Sequence, residues 1–470
     1  MTLTETELRE RASSFGQGHL FRFWENLSPE RKENLLKQLR AVDFELVKEH
    51  AALLMDPPAT ESVDLDLAPP VLFPLERSSA QSVEATQAEE EGASMIAAGD
   101  LAFLLVAGGQ ASRLGYDGPK GAFPVGPVSD RSLFELHARR LRAAEARHCV
   151  CVPWYVMTSP ANDQATRYFF EQNDSFGLDP EQIAFFSQAM IPALDLEGRI
   201  MMSAKDSLFL APNGHGGTLA ALESSGCLAD ARARGIKTFS YFQVDNPLVR
   251  PADTLFFGLH AQAGARMSSK VVSKCNADEK VGVIGKVDDK LGCIEYSDLP
   301  RGLREARDAE QRLLFRAGNI AAHLLELDFV EELTRERLEL PWHVARKSML
   351  CVDDSGEMVS RDGAKFETFI FDALGRSPDS VTLEVKRELE FSPVKNAQGD
   401  DSPASARRDL CQLFAGWVQE TGGTLPDPGG DGLVPVEVCP LVAEDAAEFA
   451  AAKPLAPNVR EAGHLYDRMT

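Results

Sequence analysis

Residues 104–126 read LLVAGGQASRLGYDGPKGAFPVG, and the reading of this stretch decides the fold. It continues an unbroken apolar run, LAFLLVA, that begins at Leu101 and has no polar face. A strand covered on both sides reads this way, as the strands of parallel sheets do. Gly108 and Gly109 follow at once, so backbone N–H groups there can approach a ligand without side-chain obstruction. In open α/β sheets ligands bind at the carboxyl ends of strands, which is where this turn must lie. Arg113 adds a forked donor matched to phosphate oxygens, and Lys120 a compact point charge. Two cations on a glycine turn predict a phosphate site. The spacing matches neither a GxxxxGKS/T loop nor a GxGxxG fingerprint, which argues against a Walker-type nucleotidase and a dinucleotide-dependent dehydrogenase.

Outward from this turn the chain alternates. Apolar runs recur at 149–157, 238–244, 270–273 and 281–287, with helix-like stretches at 132–146, 161–172 and 219–234. Such alternation predicts an α/β fold around a central, mostly parallel sheet with helices on both faces. The first fifty residues read as helical: Ser28-Pro29-Glu30 is a start signal, and Leu35, Leu36, Leu39 and Val42 recur at helical spacing. Residues 57–87 carry PPATES and APPVLFPLERSS, too much proline for helix or inner strand, and read as an extended surface connector. Beyond 389 the chain is rich in Pro, Gly and Asp, with one helix and some short strands. The predicted division is a helical N-terminal region with its connector (1–95), a catalytic domain (96–388) and a small α+β C-terminal domain (389–470).

At 470 residues the chain has about three domain-lengths of roughly 150 residues each, ample for a large apolar core. Its formal net charge of −23 repels nucleic acid and anionic membranes, so neither is expected as a partner. A polyanionic substrate would need a locally basic pocket. The eight cysteines are scattered, with no Cys-x-x-Cys pair, which speaks against a zinc site or disulfide framework and for a reducing compartment. Cys149 and Cys151 fall in the run CVCVPWYVM, which reads as a buried strand. MTLTETELRE has no apolar signal region, and no stretch approaches the ~20 apolar residues that span a bilayer. A cytoplasmic protein is expected.

The glycine-turn stretch resembles the nucleotide-binding signature of the UDP-sugar pyrophosphorylases, nearest the eukaryotic-type UDP-N-acetylglucosamine pyrophosphorylase branch. The likeness continues in order through GQGHLFRFWENL (16–27), FSQAMIPALDLEGRIMM (186–202), APNGHGGTLAAL (211–222) and YFQVDNPLV (241–249). It goes on through KVGVIGKVDDKLGCIEYSDL (280–299), LFRAGNIAAH (314–323), KFETFIFDAL (365–374), EFSPVKN (390–396) and VEVCPLVA (436–443), and so covers almost the whole chain. The resemblance implies a Rossmann-like sheet of the nucleotidyltransferase type and the reaction UTP plus hexose 1-phosphate to UDP-sugar plus pyrophosphate. A phosphate oxygen of the sugar attacks the α-phosphorus in line, so positioning and charge neutralisation carry the step.

By that resemblance Arg113 and Lys120 hold the leaving phosphates, Gly108 and Gly109 face the nucleotide, and Lys365 and Lys395 match further phosphate-contacting lysines. Snorkelling surface lysine is the ordinary alternative for the last two. Asp245 closes the apolar strand TFSYFQVDN, and a carboxylate there is costly unless it meets a cation or several donors. Magnesium bound through one or two carboxylates and substrate oxygens is the usual solution beside phosphates. The family places its metal-linked aspartate here, although Asp245 could instead cap the turn through Asn246-Pro247. Gln188 matches the glutamine that reads uracil, whose imide suits an amide's donor and acceptor. Gly214 lies in a substrate loop, and His215, Gly282, Glu295, Asn319, Phe369 and Phe371 match positions around the hexose. Core packing accounts equally well for the two phenylalanines.

One motif departs from the branch. Residues 214–217 are Gly-His-Gly-Gly, where the N-acetylglucosamine branch has Gly-Asn-Gly-Gly and UDP-glucose pyrophosphorylases have Gly-His-Gly-Asp. N-acetylglucosamine 1-phosphate is the expected sugar substrate, with glucose 1-phosphate or a broad range as the alternative. His215 needs only a hydrogen-bonding role, because the attacking phosphate is already deprotonated near neutral pH. A non-catalytic UDP-sugar-binding regulator would be marked by loss of Arg113, Lys120, Asp245 or Lys395, and all four are present.

Overall fold

The computed structural model describes residues 3–56, 66–428, 433–452, 459 and 463–467. It groups the chain into two compact units, each built from three segments. The larger comprises Asp66–Ser187, Leu219–Leu338 and Phe371–Thr470, the smaller Met1–Leu65, Gln188–Thr218 and Glu339–Ile370.

The larger unit is built on a ten-stranded sheet. Its heart is parallel, in the order Thr238–Gln243, Leu101–Val106, Trp154–Thr158, Ile183–Ser187. The first three of these strands are the expected apolar runs and are buried because helices cover them, whereas Ile183–Ser187 is an edge strand, mostly half-buried, that was not among those runs. Phe103, Trp154, Val156 and Phe242 lie in one hydrophobic cluster with Phe134 and Leu141 of the Leu133–His148 helix and Phe256 and Phe257 of the Thr254–Gln262 helix. Ala317–Glu326 runs antiparallel beside Thr238–Gln243 and pairs along its other edge with Met267–Ser273, which lies parallel to Thr382–Val385. A hairpin, Val283–Val287 with Lys290–Ile294, attaches to the same long strand through Val283 and Gly318. The expected α/β architecture is observed, with antiparallel strands extending the parallel heart.

Four local expectations are corrected. Residues 79–87 of the expected connector belong to a helix, Ser79–Ala97, started by a capping box between Ser78 and Gln81. The preceding proline stretch is extended and pairs through Phe73 with Leu383, while 57–65 lie outside the described residues. The run 149–157 is not wholly a strand: the Leu133–His148 helix ends on Cys149 in a left-handed conformation, and pairing begins only at Trp154, after Pro153. Cys149 and Cys151 are therefore exposed. The helix expected at 219–234 breaks at Gly226, whose φ is +82°, into Gly217–Ser224 and Cys227–Ala233. Finally, the described residues beyond 389 form no separate hydrophobic cluster. Leu410, Phe414 and Trp417 of the Pro403–Glu420 helix, with Val438 and Tyr466, share the cluster that contains Phe103.

In the smaller unit the Ser28 hydroxyl accepts from the Arg31 amide and starts the Pro29–Ala41 helix, which buries Leu35, Leu36 and Leu39. These pack in one cluster with Phe44, Leu194, Ile200 and Phe366. Phe366 lies on a long hairpin, His343–Val352 with Met358–Glu367, to which Leu194–Asp195 adds a third strand. Among the described residues no helix is long and apolar enough to cross a membrane.

Candidate active site

Two adjacent parallel strands position the first half of the site. Leu101–Val106 and Thr238–Gln243 run in register, Val106 beside Gln243, and the Val244 amide donates to the Val106 carbonyl. Their carboxyl ends therefore deliver the Gly108-Gly109 turn and Asp245 side by side. The turn is fastened from below: Asn162 Nδ2 donates to the carbonyls of Ala107 (2.8 Å) and Gly109 (3.1 Å), and Ser159 Oγ to that of Gly108 (2.8 Å). These bonds engage carbonyls only. A Cβ placed on Gly109 would meet nothing within 4 Å, so this glycine serves open access and not packing.

Lys120 is set against the same turn, its amide donating to the Gly109 carbonyl at 3.0 Å. Its Nζ lies 3.3 Å from Asp245 Oδ2, with the two side chains only 20% and 10% exposed. Gly121 explains the glycine that follows: a Cβ there would stand 2.2 Å from the Phe134 ring. Arg113 sits on the short turn of helix Ser112–Leu114, exposed, and joins no ion pair among the described residues. Lys395 comes to this site from far along the chain. The Val394 amide donates to the Asp245 carbonyl at 2.8 Å, and Lys395 Nζ lies 3.8 Å from Asp401 Oδ2. Burial holds the Asp401 carboxyl above its ordinary range; the charge of nearby Asp245 adds to this, and Lys395 opposes it. Lys120, Asp245, Lys395 and Asp401 thus form one charged group of two cations and two carboxylates. Lys395 and Asp401 also line a cleft of about 740 Å³ whose other cations are Lys280, Arg387 and Arg408.

Among the described residues no cluster of three or more His, Cys, Asp or Glu side chains could hold a metal unaided. Magnesium asks for less, one or two carboxylates with substrate phosphates and water completing the shell. Asp245, with Asp401 near it, fits that demand.

Three of the expected sugar residues meet in the larger unit. The Asn319 amide donates to the Gly282 carbonyl at 2.8 Å. A Cβ on Gly282 would lie 2.7 Å from Cys293 Sγ and 3.6 Å from Glu295 Oε1. Cys293 is their common neighbour, and Asn319 Nδ2 points to its sulfur at 3.8 Å. Phe371 is buried in this unit.

The other expected residues belong to the smaller unit. Gln188 is buried, and its Nε2 donates to the Gly214 carbonyl (2.6 Å) and to Asn213 Oδ1 (3.1 Å), leaving Oε1 as the acceptor that could serve a base. Gly214 has φ +81°, and a Cβ there would collide with the Thr368 carbonyl at 2.3 Å. His215 Nδ1 accepts from the Ile370 amide at 3.3 Å, and its ring stacks on Phe369 at 5.2 Å. Burial, with the neighbouring His343 charge, lowers its pKa to about 4. The ring is therefore neutral at pH 7, with its proton on Nε2, in agreement with a hydrogen-bonding role. Phe369 also packs on His343 at 4.5 Å. Lys365, half-buried, places Nζ 5.4 Å from the Phe209 ring.

A family model described as UTP–glucose-1-phosphate uridylyltransferase matches residues 68–416. The chain belongs to that family. Within it, the chain is 36% identical over 473 residues to human UDP-N-acetylhexosamine pyrophosphorylase-like protein 1, covering 93% of each. It is 33% identical to the UDP-N-acetylglucosamine pyrophosphorylase of Saccharomyces cerevisiae, over 90% of this chain and 93% of that one. The structure of the Trypanosoma brucei uridine diphosphate N-acetylglucosamine pyrophosphorylase superposes with a TM-score of 0.78 at 28% identity, covering 98% and 97%. The resemblance read from the motifs and the α/β fold are both borne out, and the uridylyltransferase family is one of nucleotidyltransferases.

Sequence reading missed the residues that hold this family member's turn and loops: Ser159, Asn162, Asn213, Asn246, Cys293 and Asp401. Ser159 and Asn162 carried a signal, since a polar S-P-x-N follows a strand next to the glycine turn. Asp401 carried none, because only tertiary folding brings it to Asp245.

Proposed function

We propose that this protein catalyses UTP plus N-acetylglucosamine 1-phosphate to UDP-N-acetylglucosamine plus pyrophosphate. The observation that carries this is the group formed by Lys120, Asp245 and Lys395 at the carboxyl ends of two parallel strands, beside an open glycine turn. Turn amides and the Lys120 ammonium bind the triphosphate oxygens. Arg113, exposed and in no ion pair among the described residues, binds the pyrophosphate as it leaves, and Lys395 neutralises the charge that accumulates there. Asp245 would hold magnesium, which supplies further neutralisation between phosphate oxygens. Gln188 Oε1 accepts from the uracil imide, Lys365 supplies a further phosphate contact, and Gly282, Glu295 and Asn319 line the hexose. His215 donates a hydrogen bond through Nε2 and transfers no proton.

The names of the relatives support the acetylated sugar, and so does residue 217. A Cβ on Gly217 would stand 2.1 Å from Asn213 Oδ1, the atom that accepts from Gln188, so the aspartate of the Gly-His-Gly-Asp motif would displace the Asn213 amide that holds Gln188. The test is pyrophosphate release from UTP and magnesium with N-acetylglucosamine, N-acetylgalactosamine, glucose and galactose 1-phosphates. N-acetylglucosamine 1-phosphate should give the highest kcat/KM. Faster turnover of glucose 1-phosphate overturns the sugar assignment, and no pyrophosphate from any of them overturns the activity.

A further inference from the structure

We infer that Asn246 is a positioning residue that acts through Lys395. Lys395 lies 150 positions beyond Asp245 in the chain, and its loop has to be brought to the strand end and kept there. The structure shows how. Asn246 is buried, and its side chain spends every polar atom on that task. Nδ2 donates to the Glu390 carbonyl at 2.7 Å, while Oδ1 accepts from the Ser392 amide at 3.1 Å and from Leu248 at 3.2 Å. One residue earlier, the Asp245 carbonyl takes the Val394 amide at 2.8 Å. The segment 390–394 is thus tied at three alternate positions to the dipeptide that carries the proposed metal carboxylate.

Both flanks of this strap are anchored. The Glu390 carboxylate lies in the interior, 2.6 Å from Lys270 Nζ, which is also 2.6 Å from Asp253. Ser392 Oγ donates to Asp409 Oδ2 of the Pro403–Glu420 helix at 2.6 Å. Lys395 is the first residue past the last tie, and its amide bonds the Asp401 carbonyl at 2.7 Å. An ordinary turn asparagine would bond its own turn, as Asn246 does at Leu248. The bonds to Glu390 and Ser392 reach another segment altogether. A lysine whose preceding backbone is held at the Asp245 strand end by these bonds meets phosphate without first ordering its loop, and errors near 1 Å in such placement can cost about a hundredfold.

The proposal rests on the phosphate-binding reading of Lys395, and its test needs no turnover. Pyrophosphate binding is measured by calorimetry in the presence of magnesium, for Asn246→Ala in the parental chain and in a Lys395→Ala background. The expected loss is about tenfold or more in the parental chain and under twofold where Lys395 is already gone, the signature of coupled residues. Asn246→Asp keeps the acceptor and loses the donor, so it should fall between and carries the same cycle should the alanine variant not fold. An equal loss in both backgrounds, or none in the parental chain, overturns the inference. Absence of pyrophosphate binding by the parental protein would instead count against the activity.

Discussion

Replacing Lys120 with alanine is the sharpest test of the candidate site. Its Nζ stands 3.3 Å from Asp245 Oδ2, and both side chains are largely shielded from water. Two unit charges at that separation interact by about 5 kcal/mol at an effective dielectric near 20. When the triphosphate enters, the ammonium exchanges part of that interaction for phosphate oxygens. The variant loses the exchange and leaves Asp245 uncompensated, facing an incoming polyanion. Removal of one preorganised donor from such a site costs about 3–4 kcal/mol, or roughly 10²–10³ in kcat. The assay is steady-state pyrophosphate release, run beside thermal denaturation to establish that the protein remains folded. Lys120 sits on a loop, so the fold should survive. A folded Lys120→Ala protein with kcat within threefold of the parent would refute the placement of the ammonium on the phosphates.

Other outcomes follow from the same geometry. Asp245→Asn should shift the magnesium titration to higher concentration by tenfold or more, and an unchanged titration would leave Asp245 as the partner of Lys120 alone. Gly121→Ala drives a methyl to within 2.2 Å of the Phe134 ring. It should cost about 1–3 kcal/mol, read as a lower urea midpoint, as overpacked cores do. His137, buried with Nε2 bonded to the Val244 carbonyl, has a pKa pushed down to about 3 chiefly by burial. A depressed histidine favours the fold fully above the unfolded pKa near 6.5 and progressively less as pH falls towards 3. By pH 5 the loss is about 2 kcal/mol. His137→Gln should flatten the decline in urea midpoint between pH 7 and 5, whereas a slope equal to the parent's would place the acid sensitivity elsewhere.

Three of the four strands of the parallel heart were legible because they are covered on both faces and so carry apolar runs, while Ile183–Ser187, an edge strand mostly half-buried, was not read. The turn at Gly108 was legible because backbone access demands glycine. The helix start at Ser28 was legible from Ser-Pro-Glu, and the Ser28 hydroxyl accepts an amide of the first turn. Less was readable where one local signal competes with another. The run at 149–157 satisfies a strand pattern, yet the helix before it continues to His148 and Pro153 delays pairing. The expected C-terminal domain looked separate because Pro and Gly punctuate it, while the amphipathic stripe of Leu410, Phe414 and Trp417 does not disclose which core it joins.

Taken alone, the sequence determined the strand-and-turn chemistry, the family and the types of side chain available for phosphate. Those are properties of neighbours in the chain. Which of them meet was decided by tertiary structure. Pairing of Val106 with Gln243 brings Asp245 to Lys120, 125 positions apart, and bonds from Asp245 and Asn246 to residues 390–394 bring the backbone just before Lys395 to the same strand end. Register between strands and hydrogen bonds across distant segments are set by the whole packed core, so no local pattern encodes them.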